Sequence, residues 1–140
     1  MLEEARLLAR EIAIGVRIPV VGVLGNHDAE AGQQEEIVSV LEEVGVHMLD
    51  GESCELEGVG FARVKGFAGG FGPHALGAWG EDVIKAFVHE AINEALKLEA
   101  ALVHLPAKQR IALLHYAPVA ATVVGESAEI FPFLGSSRGA

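Results

Sequence analysis

Pro19-Val20-Val21-Gly22-Val23-Leu24 runs without polar alternation, as a strand covered on both faces of a parallel sheet does, and leads straight into Gly25-Asn26-His27-Asp28. In open α/β sheets ligands gather at the C-terminal strand ends, where the connecting loops converge. Asn26 offers a carbonyl oxygen suited to a hard or borderline divalent cation, and His27 an imidazole able to give up a proton near neutral pH. Asp28 is expected to hold His27 in one tautomer by accepting its ring N–H, while Gly25 permits a sharp exit from the strand. The same four residues are also good turn and helix-cap chemistry. His115 closes a second apolar run, Ile111-Ala112-Leu113-Leu114, and should lie on the same sheet edge as Asn26; a partly buried strand histidine is the plainer account of it.

The surrounding elements read in order. Leu2 to Ile14 places Ala5, Leu8, Ala9 and Ile12 on one side of a helix, with no capping residue before it, as if upstream chain were missing. Gln33 to Val44 repeats at helical spacing and stops at Gly45, where a helix end wants a residue tolerant of positive φ. Val46–Leu49, Ser53–Leu56 and Val59–Val64 are β-prone pieces separated by Asp50-Gly51 and Gly58, which predicts a meander with tight turns. Gly66 to Gly80 is rich enough in glycine to be a loop or a mobile excursion. His74 lies in that segment as a candidate substrate contact, and Phe67, Phe71 and Trp79 either close over a ligand or pack the loop down. Glu81 to Leu105 carries Ile84, Val88, Ala91, Ala95, Leu98 and Leu102 at steps of four and three, one long helix ended by Pro106. The pattern implies one α/β domain over residues 1–140.

Composition limits the function. Twenty acidic and ten basic residues give a formal charge of −10, which repels polyanions and argues against nucleic-acid binding. A small phosphate ester is still admissible, because a bound divalent cation would dominate the local field. Cys54 is alone, so no internal disulfide forms; with no secretory start and no apolar run long enough to span a bilayer, a cytoplasmic protein with no membrane partner is expected. His47, His89 and His104 read as surface or satisfied positions.

PVVGVLGNHD resembles the most diagnostic motif of the calcineurin-like metallophosphoesterase family, and LLHYAP resembles that family's single-histidine motif. The resemblance implies an α/β/β/α fold, a β-sandwich flanked by helices. It implies Asn26 and His115 as ligands of one metal, and His27 as the group that serves the leaving oxygen. It also implies hydrolysis of a phosphate mono- or diester at a dinuclear centre of manganese, iron, nickel or zinc. The family's Asp-x-His and Gly-Asp motifs upstream and its Gly-His-x-His motif downstream are missing: the 24 residues before Gly25 hold no aspartate or histidine, and none of the six histidines follows His115. The chain is therefore expected to be a truncated domain that binds metal weakly or not at all and is inactive alone. The alternative is a non-catalytic fragment, or an interaction module in which Ile84 to Leu102 pairs with a partner helix.

Overall fold

A computed structural model describes residues 1–30 and 32–139. The chain is mixed α/β, with two small sheets and helices packed against each. α1 (Leu2–Gly15) buries Ala5 and Ala9, and α3 (Gln34–Glu42) buries Ile37 and Leu41. These four residues form one cluster with Val46 and Met48 of β2 (Val46–Met48), supported by half-buried Val20 and Leu24. β1 (Val20–Gly22) runs parallel to β2, Val20 opposite Val46 and Gly22 opposite Met48. β1 has three residues, each only half-buried, so the expectation of a strand covered on both faces is corrected: a two-stranded sheet supplies too little cover.

The second sheet has the order β3–β4–β5, with β3 at Ser53–Leu56, β4 at Val59–Val64 and β5 at Gln109–Leu114. β3 and β4 are antiparallel and turn through Glu57 and Gly58 at φ 52° and 82°. Two successive positive-φ residues match the right-handed twist of the flanking strands, and glycine takes the second without a Cβ penalty. The predicted three-strand meander is corrected, since β2 joins β1 instead of β3. Local turn signals at Asp50-Gly51 do not say which strand supplies the pairing partner.

β5 lies parallel to β4, joined through the crossover helix α4 (Asp82–Val103). α4 buries Val88, Ala91, Leu98 and Ala101; Leu98 and Ala101 pack with Leu105 on Ala62 and Val64 of β4, forming a second apolar cluster. The C-terminal half of the periodic face thus packs on its own sheet, while Ile84 at the other end is exposed. Among the described residues no helix is long and apolar enough to cross a membrane.

The glycine-rich segment is tied down. Gly69 N donates to Pro132 O and Gly70 N to Gly135 O, while Gly72 N donates to Ser137 Oγ. These bonds hold it against the C-terminal turns and α5 (Phe131–Leu134). Phe71 is buried edge-to-face on Phe131, and Phe67 packs edge-on against Phe87 of α4. Both therefore pack the segment down, and Trp79 stands 74 % exposed.

Candidate functional site

The two histidine-bearing ends meet. Chain leaving β1 turns at Gly25 into a single helical turn, α2 (Asn26–Glu30), and chain leaving β5 turns at His115. His115 Nε2 lies 2.8 Å from Asn26 Oδ1. The amide oxygen can only accept, so the ring nitrogen carries the proton and donates it. The His115 and Tyr116 peptides both donate to Lys65 O, at 3.2 and 3.0 Å, which fixes the turn after β5 against the end of β4.

Gly25 is required at this crossing for space. A Cβ there would stand 2.8 Å from His115 Cε1 and 3.1 Å from Nε2, the first shorter than carbon atoms tolerate. Gly25 O accepts the first helical bond of α2 from Ala29 N at 3.4 Å, which makes Gly25 the N-cap and Asp28 the third helical residue. Asp28 Oδ2 accepts the Gly25 N–H at 2.8 Å, the return half of a capping box. The expected tautomer-holding role of Asp28 is thereby corrected, because its carboxylate is turned toward the cap. His27 is exposed, and its Nδ1 faces Glu30 Oε2 at 3.4 Å, one helical turn along. Glu30 is the carboxylate in reach of that ring, and its place at i+3 on a short helix is the signal that could have found it.

Tyr116 completes the cluster. Its ring meets His115 edge-on, with centroids 5.4 Å apart. Burial pushes its hydroxyl above the usual tyrosine value, and the negative charge of Glu30 adds to the effect. Its position directly after His115 is the only sequence cue to it. His74 does not join the group: it lines a separate cleft with Phe71, Pro73, Phe131 and Pro132. His47, His89 and His104 are all exposed, and His104 Nδ1 contacts Ala100 O at 2.7 Å.

A cleft of about 630 Å³ opens beside Gly25, lined by Leu24, Ala29, Asp50, Glu52, Arg63 and Lys65 among others. Among the described residues no three His, Cys, Asp or Glu side chains gather to hold a metal ion. The Asn26–His115 pair does fit two positions of one coordination sphere: ligand atoms about 2.1 Å from an ion and meeting near a right angle lie about 3 Å apart. Both donors are neutral when they bind, so this pair brings no charge to a cation. No protein-family model, curated protein or solved structure matches this chain.

Proposed function

We propose that this chain carries the central part of a metal-dependent phosphoesterase site, of the calcineurin-like kind, in which Asn26 and His115 take one divalent cation and His27 serves the leaving oxygen of a phosphate ester. The observation that supports this most is the 2.8 Å approach of Asn26 Oδ1 and His115 Nε2 from the ends of two strands in different sheets. A sandwich of two sheets flanked by α1 and α3 on one side and α4 on the other is the fold this reading takes.

A divalent cation supplies Lewis-acid stabilisation of phosphate oxygens and an activated water. The chain's own residues do the rest. Gly25 keeps the approach to His115 open, and Asp28 holds the turn that presents Asn26 and His27. Exposed His27, with Glu30 beside its Nδ1, presents Nε2 outward and would serve an alkoxide or phenoxide leaving group when the ring is the doubly protonated imidazolium. Two neutral ligands fall short of the four to six such ions prefer, so the isolated chain binds metal weakly and turns over little substrate.

Zinc titration of ¹⁵N-labelled protein tests the ligand pair. The free ring donates from Nε2, whereas coordination through Nε2 moves the proton to Nδ1, so zinc should switch the His115 tautomer and Asn26→Ala should weaken the switch. Absence of any zinc-dependent change at His115 would sink the reading. Robust hydrolysis of an aryl phosphodiester by this chain, abolished in His27→Ala, would instead overturn the inactivity expected of it.

A further inference from the structure

Arg63 is the buried charge that the site as described leaves unused. It sits in β4 with 2 % of its surface exposed, and its Nη1 donates across to the Gly22 carbonyl of β1. Its Nε is buried with no partner among the described residues. Burial holds its pKa below the ordinary arginine value, against the opposing charges of Asp50, Glu52 and Glu94. A guanidinium so placed carries a desolvation cost that one bond to the Gly22 carbonyl and an unpartnered Nε offset only in part. Its presence calls for a role other than stability.

Position supplies that role. Arg63 pairs in register with Leu113 on β5, two residues before His115, and its partner Gly22 lies four residues before Asn26. The guanidinium thus ties the strand leading to one half of the site to the sheet carrying the other half, just below the point where the two side chains meet. We infer that Arg63 is a positioning residue that sets the separation of Asn26 and His115 by clamping Gly22 of β1 to β4. Lysine is a poor replacement, since its ammonium sits on a flexible stem and is more strongly hydrated than the planar guanidinium that donates to Gly22.

Arg63→Met, close in volume and without a donor, is the first test, read by the ring ¹⁵N shifts of His115 without metal and by zinc affinity. The zinc arm rests on the ligand pair proposed above; the metal-free arm does not. The expected result is a folded variant whose thermal midpoint is lowered because the Gly22 carbonyl loses its donor, whose His115 no longer shows the single Nε2–H tautomer, and whose zinc affinity falls about 10–100-fold, the usual scale for loss of a group that orients a ligand. If Arg63→Met does not fold, Arg63→Lys gives the same readouts. A folded variant with the parent's His115 shifts overturns the inference, whatever its zinc affinity. If the parent itself binds no zinc, the ligand-pair reading fails while the shifts still decide on Arg63.

Discussion

Asp28 Oδ2 and Gly25 N are 2.8 Å apart, and this bond closes the turn that carries Asn26 and His27 out of β1. Asp28→Ala should cost about 0.5–1.5 kcal/mol, the usual net worth of one hydrogen bond. Asp28→Asn keeps an oxygen acceptor and should retain most of that. Urea unfolding of the three proteins decides the point, and an alanine variant as stable as the parent would show the cap to be idle.

Gly25→Ala acts through space. The added methyl meets the His115 ring, so the ring must swing away and release Asn26. Far-ultraviolet circular dichroism should be preserved while the His115 shifts change and zinc affinity falls at least tenfold. Unchanged histidine resonances in a folded variant would mean that the ring has room the geometry denies it.

Glu94 anchors the chain just beyond β4. Its carboxylate is 3 % exposed, takes the Gly66 N–H at 2.9 Å on one oxygen and Lys97 Nζ at 2.6 Å on the other. Glu94→Ala leaves the Gly66 amide unpaired in a buried place, at about 1–3 kcal/mol. Glu94→Gln keeps an acceptor for that amide and should fall between. Thermal melts of both variants check the order.

Burial pushes the Cys54 thiol above its ordinary value of 9.0. A group raised in the folded state contributes stability that is complete below the unfolded value and is lost as pH climbs through the folded one. Stability should therefore decline from about pH 9 upward, and Cys54→Ser should lessen that decline. Alkylation rates followed against pH should show a midpoint above 9 in the native protein and near 9 in urea.

Long-range consequences were the part of this fold hardest to read from sequence. α4 repeats Val88, Ala91 and Leu98 over six turns, so its span was visible within a few residues, and Gly45 at φ 85° ends α3 as its neighbours require. The meeting of Asn26 and His115 was legible only in part: both stand at the ends of apolar runs, but the expectation of one shared sheet edge is corrected, since β1 and β5 belong to different sheets. Arg63 was not legible: a base between Ala62 and Val64 gives no sign in the sequence that its guanidinium turns inward to the Gly22 carbonyl of a distant strand. The C-terminal turns carry no periodic signal because partners in the glycine-rich segment, such as Gly69 with Pro132, hold them in place.

The apolar interior is divided. One cluster gathers under α1 and α3, another under α4, and the bonds between the sheets that carry them are polar, from Arg63 to Gly22 and from His115 to Asn26. Cooperativity in melting depends on shared nonpolar contact, so these halves need not let go together. A calorimetric enthalpy larger than the van't Hoff value, with amides of α1 and α3 exchanging on a different schedule from those of α4, is what such a division produces.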